Sequence, residues 1–171
     1  MRQHLLPLLF VGAIARSAHA ADLNVNVELP RLDTAEYHRP YVAIWIESAD
    51  QSTARDLAVW YDVAKRNNAG TQWLKDLRLW WRRSGRDQQM PVDGVSGATR
   101  PAGKHELSFA GAAKPLADLK PGSYAVVVEA ARESGGHELV RVPFDWPPKQ
   151  ASQPAAQGHA ELGAIALDIK P

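Results

Sequence analysis

The stretch Leu23-Asn24-Val25-Asn26-Val27-Glu28-Leu29 decides the fold class, because its apolar and polar side chains alternate strictly until Pro30. Alternation with a period of two is typical of a strand that buries one face and exposes the other. Turn signals such as Glu133-Ser134-Gly135-Gly136 separate further stretches of this kind. They cover residues 42–46, 57–61, 105–109, 124–128, 139–144 and 160–169. About seven short strands at this spacing predict an all-β fold, an antiparallel immunoglobulin-like β-sandwich.

One segment departs from the strand pattern and predicts a single inserted α-helix over residues 71–84. Thr71 is suited to the N-cap position, and Gly85 lies just beyond the end. We expect its apolar stripe to cover one end of the sandwich. The residues at helical spacing are Trp73 or Leu74, Leu77, and Trp80 or Trp81.

Two further segments predict irregular structure within one domain, residues 21–171. Residues 86–104 contain three glycines and two prolines at scattered positions, which predicts an extended loop. Residues 147–158 are of low complexity and predict a flexible loop before the last strand. The sequence shows no internal repeat and no sign of a second domain.

The first 20 residues predict a cleavable signal peptide. Arg2 precedes an apolar stretch over 5–14, and Ala18-His19-Ala20 is a small-x-small cleavage site. Removing Arg2 and Arg16 leaves 18 basic against 19 acidic residues, a net charge of 18 − 19 = −1. This balance argues against nucleic-acid binding through phosphate contacts. We expect a periplasmic protein with no membrane-spanning segment.

The composition excludes several kinds of redox and catalytic site. The chain has no cysteine, which excludes disulfides, thiolate zinc sites and iron–sulfur clusters. Ser96 lies in Gly94-Val95-Ser96-Gly97, which is not the Gly-x-Ser-x-Gly pattern of a serine hydrolase. We therefore expect neither a metal site nor a catalytic residue. The histidines His38, His105, His137 and His159 are dispersed without metal-ligand spacing.

The stretch Asp93-Gly94-Val95-Ser96-Gly97-Ala98-Thr99 is the candidate site. Its small residues predict a tight turn just before a strand, and Ser96 and Thr99 add hydroxyl groups. From the residues alone, a purely structural turn is one interpretation. The two glycines and the alanine would also let the backbone come close to a bulky partner.

The same stretch resembles the flavinylation motif Asp-x-x-Ser/Thr-Gly-Ala-Ser/Thr at every defined position. The resemblance implies that a periplasmic flavin transferase moves FMN from FAD to the Thr99 hydroxyl and forms a phosphoester. The cofactor-binding residues would be Thr99, Asp93, Ser96, Gly97 and Ala98. We expect Asp93 to hold the turn by accepting backbone N–H bonds, because a carboxylate would repel the phosphate.

The wider chain resembles a family of predicted periplasmic proteins, domain of unknown function 2271. The resemblance implies that the protein is an electron carrier in extracytoplasmic redox transfer and not an enzyme. It also implies a PepSY-type membrane protein as a separate partner. The matching stretches are 80–86, the motif at 93–99, Arg100-Pro101-Ala102-Gly103, Pro121-Gly122-Ser123-Tyr124 and 129–133.

Side chains near the motif extend this hypothesis. Trp73, Trp80 and Trp81 are able to stack on a flavin ring, and we expect Trp80 or Trp81 near it because both precede the loop closely. Cations that would pair with the FMN phosphate or an acidic partner are Lys75, Arg78, Arg82, Arg83 and Arg86. The alternative is a cofactor-free secreted β-sandwich that binds a partner. The burial of Thr99 discriminates between the two, because a buried and hydrogen-bonded hydroxyl argues against attachment.

Overall fold

A computed structural model describes residues 21–171. The predicted signal peptide, residues 1–20, lies outside the described residues. The described part contains nine strands: β1 (Asp22–Leu29), β2 (Tyr41–Ser48), β3 (Ala54–Tyr61), β4 (Ser96–Ala98), β5 (Gly103–Phe109), β6 (Gly122–Ala131), β7 (His137–Trp146), β8 (Ala155–Gln157) and β9 (Ala164–Lys170). One α-helix, α1 (Arg78–Arg83), lies between β3 and β4.

The strands form two sheets, and the predicted all-β sandwich is confirmed. One sheet has the order β5-β1-β9-β8 and the other β4-β3-β2-β6-β7. Every pairing is antiparallel except that of β3 with β4, which is parallel. The seven predicted strands are all present. The two that the sequence did not predict, β4 and β8, have three residues each, too few to show alternation.

The main core lies between the sheets and explains the alternation in β1. Its four apolar residues are at most 1% exposed, and the polar residues between them point away. Full burial of one such side chain contributes about 1.5–3 kcal/mol relative to exposure. The opposing residues on the second sheet include Val42, Ile44, Ile46, Val126 and Val128.

A second apolar layer covers the outer face of the five-stranded sheet. That face presents Trp45, Val59 and Tyr61, each fully buried. The cover is the helical segment, defined here as residues 66–87, through Leu74, Leu77 and Trp80. The segment therefore lies on the outer face of one sheet, and the expectation that it covers one end of the sandwich was wrong.

The helical segment is not the single α-helix predicted over 71–84. It consists of a 3₁₀ stretch over Arg66–Asp76, the α-helix α1, and a 3₁₀ turn over Gly85–Asp87. Leu77, at φ −76° and ψ 74°, interrupts the helical backbone. Thr71 is not a cap, since its hydroxyl donates to the Asn68 carbonyl at 2.8 Å. The buried residues 74, 77 and 80 all pack on the sheet, although the backbone between them is not one continuous helix.

A buried carboxylate from the sheet caps α1. Glu129 on β6 is fully buried and accepts the backbone N–H groups of Leu79 at 2.9 Å and Trp80 at 2.8 Å. Its Oε1 also lies 2.6 Å from Nε2 of His137. A helix this short leaves its first N–H groups without partners inside the helix. Glu129 supplies two of the missing acceptors and fixes α1 against the sheet.

The two predicted loops are partly strands. Residues 86–104 include β4 and the first residues of β5. Residues 147–158 include β8, which pairs with β9, and Ser152 forms a further bridge with Ile169. Part of the segment for which the composition predicted a flexible loop is therefore hydrogen-bonded to β9 as an edge strand.

Candidate functional site

The motif residues lie along the edge of the five-stranded sheet. The Val59 N–H donates to the Val95 carbonyl at 2.9 Å, and the Thr99 N–H donates to the Tyr61 carbonyl at 3.2 Å. Between them, β4 pairs in parallel with β3. A parallel pair needs a crossover connection of about a dozen residues or more, and the helical segment supplies it. Thr99 therefore sits at a fixed position just beyond β4.

The turn before β4 is closed by Ser96. The Val92 carbonyl accepts the N–H groups of Val95 at 3.2 Å and Ser96 at 2.9 Å, and the Ser96 hydroxyl accepts the Val92 N–H at 2.9 Å. Gly94 has a φ of +71°, a conformation that favours glycine. Asp93 is exposed. The side-chain bond that we expected from Asp93 thus comes from Ser96, whose hydroxyl lies directly across the turn.

The residues after the turn differ in exposure. Gly97 packs beside Trp60, where an added Cβ would lie 3.5 Å from the indole Cδ1, an ordinary contact that alanine would tolerate. Ala98 is exposed and Thr99 is half-buried. The Arg100 guanidinium lies 5.5 Å from the centre of the Trp60 ring. The chain on both sides of Thr99 is therefore anchored to β3.

Thr99 lines a cavity of about 570 Å³. The cavity lies where β2 begins and where β3, β4 and β6 end, beyond one end of the five-stranded sheet. Only the backbone N–H of Thr99 has a hydrogen-bond partner within residues 21–171, so its hydroxyl is not engaged there. The other lining residues are Tyr37, His38, Arg39, Tyr41, Asp62, Lys65, Trp73, Asp76, Ala131, Arg132, Glu133 and Ser134.

Two exposed aromatic side chains form part of the cavity wall. Trp73 is 42% exposed and Tyr37 is 37% exposed. Across residues 21–171, Val63 is the only other large apolar side chain with comparable exposure. Apolar surface gathered in a concave site is typical of a ligand-binding pocket.

The charged groups of the cavity are balanced and mostly paired. Arg132 forms two bonds with Glu161, at 2.9 and 3.0 Å. Lys65 lies 3.8 Å from Asp62. Arg39 is exposed and has no ion-pair partner among the described residues. Three carboxylates, those of Asp62, Asp76 and Glu133, also line the cavity.

Tyr41 and Gly70 fix the 3₁₀ stretch against the sheet at this cavity. The Tyr41 hydroxyl donates to the Gly70 carbonyl at 3.2 Å. A Cβ at Gly70 would lie 2.1 Å from the carbonyl oxygen of Asp62, so only glycine permits this approach. Burial raises the pKa of Tyr41 above 10.0, against a smaller opposing effect of the hydrogen bond with the Asp62 backbone. The side chain is therefore a neutral phenol at neutral pH.

The other predicted side chains lie elsewhere. Trp80 is fully buried and donates from Nε1 to Asp56 at 3.0 Å, while the half-buried Trp81 packs beside it. Trp73, the third tryptophan considered, is the one at the cavity. Lys75, Arg78, Arg82, Arg83 and Arg86 do not line it either. Arg83 instead pairs with the buried Glu47 at 3.1 Å.

The sequence did not single out Tyr37, Arg39 or Lys65. They come from the connections that follow β1 and β3, where no periodicity or motif distinguishes them. The only sequence signal for a binding site there is Tyr37-His38-Arg39, in which an aromatic residue and an arginine lie close together in a polar connection.

Comparison with known proteins identifies the family. No helix within residues 21–171 has both the length and the apolar character needed to cross a membrane. No curated protein and no solved structure matches the chain. Residues 22–164, which include the motif and the cavity, match the family described as "Predicted periplasmic protein (DUF2271)". The chain therefore belongs to this family of predicted periplasmic proteins.

Proposed function

We propose that this protein is a periplasmic flavoprotein that carries FMN through a phosphoester to Thr99 and acts as an electron carrier. The observation that carries the proposal is the position of Thr99. This half-buried side chain, whose hydroxyl is not engaged within residues 21–171, lines a cavity with two exposed aromatic rings. The same threonine is the last residue of the stretch that resembles a flavinylation motif.

The cavity suits the ring system of a flavin. Its volume of about 570 Å³ falls within the range of about 300–1,000 Å³ for small-molecule sites. Tyr37 and Trp73 offer aromatic faces for stacking. Arg39 is available to a phosphate, whereas Lys65 and Arg132 already face carboxylates. The residues present therefore fit the ring more closely than the phosphate.

Attachment requires a separate enzyme. A flavin transferase would break the pyrophosphate bond of FAD and join the FMN phosphorus to the Thr99 oxygen, releasing AMP and the hydroxyl proton. The chain itself presents the hydroxyl from a backbone held by β3 and by the Ser96 turn. Bound flavin would supply one- or two-electron transfer to a chain without cysteine.

The electron partners belong to this proposal. A PepSY-type membrane protein would be the donor or acceptor on the membrane side. We propose that it is a separate chain.

The test is co-expression with a periplasmic flavin transferase, followed by intact mass and in-gel flavin fluorescence. We expect the wild-type protein to gain one FMN less one water, and Thr99→Ser to retain the label. Thr99→Ala should lose it. Thr53→Ala, at an exposed threonine outside the cavity, is the matched control and should be labelled.

A reference substrate labelled in the same cells shows that the transferase is active. If that substrate is labelled while the wild-type protein stays unmodified, the flavin proposal is wrong. The cofactor-free binding protein then becomes the better interpretation of the same cavity. Equal labelling of Thr99→Ala would instead place the attachment at another residue.

A further inference from the structure

We infer that the cavity binds the flavin ring non-covalently, also when no FMN is attached to Thr99, and that Tyr37 and Trp73 contact the ring. The choice of flavin as ligand rests on the proposed function. The inference goes further, because a motif that serves only as an attachment point needs no binding site beside it.

The residues next to the two aromatic side chains contact the rest of the domain. Trp73 lies on the 3₁₀ stretch and lines the cavity, while the adjacent Leu74 is fully buried in the apolar layer on the sheet. Tyr37 precedes His38, whose ring lies 3.9 Å from the Glu133 carboxylate in the turn after β6. The two rings thus come from segments fixed to the same end of the sheet. A site arranged before binding loses less entropy when a ligand enters it.

The polar groups complement the edge of an isoalloxazine ring. That edge carries one N–H donor and two carbonyl acceptors. The Asp76 carboxylate is a suitable acceptor and the Arg39 guanidinium is a suitable donor, and neither has an ion-pair partner within residues 21–171. A purely apolar ligand would leave these groups without partners, which disfavours it.

Recognition should depend on the ring and hardly on the phosphate. Arg132 is bound to Glu161, and Lys65 faces Asp62. The three carboxylates of the wall also oppose a dianion. We therefore expect riboflavin and FMN to bind with affinities within about fivefold of each other, since one exposed charge pair contributes about 0–1 kcal/mol.

The experiment uses the signal-free Thr99→Ala protein, which cannot be labelled at this threonine. Riboflavin and FMN are titrated separately, and flavin fluorescence and induced visible circular dichroism are recorded. Ribose 5-phosphate serves as a competitor that has the phosphate but no ring. Trp73→Leu and Tyr37→Leu are compared with Val63→Ala, which removes exposed apolar surface outside the cavity. Thermal unfolding verifies that each variant is folded.

We expect saturable quenching by both flavins and no competition by ribose 5-phosphate. Loss of either aromatic ring should weaken binding about 5- to 150-fold, the range that removal of one stacking side chain produces. Val63→Ala should bind as Thr99→Ala alone does. The inference is overturned if riboflavin shows no saturable binding, or if the leucine variants bind as tightly as Val63→Ala.

The result is independent of covalent attachment. Labelled wild-type protein combined with no riboflavin binding by Thr99→Ala would refute the ring site and retain the proposed function. Riboflavin binding combined with unlabelled wild-type protein would refute the attachment and retain the ring site.

Discussion

Replacing Glu129 with Gln tests whether one buried carboxylate fixes the helical segment on the sheet. Glu129 accepts two backbone N–H bonds from α1, at 2.9 and 2.8 Å, and is fully buried. Gln has a single acceptor oxygen, so one N–H would face the amide NH₂ and lose its partner. An unpaired buried donor costs about 1–3 kcal/mol, and the remaining bond loses about 1 kcal/mol of charge assistance. The expected loss in free energy of unfolding is about 2–4 kcal/mol.

Urea unfolding followed by tryptophan fluorescence measures this loss. For a domain of this size, the same change lowers the unfolding temperature by about 4–16 °C. Glu106→Gln on β5, where the side chain is exposed, is the matched control and should stay within about 0.5 kcal/mol of wild type. If Glu129→Gln unfolds at the same urea concentration as Glu106→Gln, the carboxylate does not cap α1 and the reasoning fails.

Three further predictions concern stability and pH. Gly85→Ala should cost about 1–3 kcal/mol by overpacking, because its Cβ would lie 2.5 Å from the Trp80 ring; an unchanged urea midpoint would contradict this contact. Burial raises the pKa of Glu138, but backbone N–H bonds from residues 159–162 outweigh it and bring the pKa below 4.5. The ionised carboxylate therefore stabilises the fold above pH 4.5, and this stabilisation is lost as the pH falls through the lowered pKa of the folded protein. The loss of unfolding free energy caused by Glu138→Gln should accordingly shrink below pH 4.5, and a loss that is the same at every pH would refute this prediction. Hydrogen bonds from neighbouring serines lower the pKa of Asp50 to about 2, and an NMR titration midpoint at its ordinary value of 3.8 would show that these bonds are absent.

The strands that have one buried and one exposed face could be predicted from the sequence. β1 alternates because one of its faces packs in the core and the other does not. The helical segment was harder, because its cap is Glu129, a residue far away in the sequence. Local signals such as Thr71 and Gly85 carry no information about that partner. The three-residue strands β4 and β8 depend on neighbours already in place, so their own residues give no periodic signal.

The candidate site could likewise be predicted only in part from the sequence. The position of Thr99 followed from a resemblance that lies within a short stretch of sequence. The aromatic wall did not, since Tyr37 and Trp73 meet only after β2 and the helical segment have packed. Trp80 and Trp81 were closer to the motif in sequence, but proximity along the chain does not determine which face of the helical segment a side chain occupies.

The parallel pairing of β4 constrains which position of the chain is able to present a hydroxyl to the cavity. Tyr61 pairs with Ala98, and the Thr99 N–H donates to the Tyr61 carbonyl, so the backbone is held against β3 as far as Thr99. The neighbouring residues Ala98 and Arg100 do not line the cavity, so we expect a threonine at position 98 or 100 to present its hydroxyl elsewhere. Moving it by two positions along an extended chain would displace the hydroxyl by about 7 Å. The proposed modification site is therefore defined by its position relative to β3, so a motif shifted by one residue would be present in the sequence but would place its hydroxyl away from the cavity.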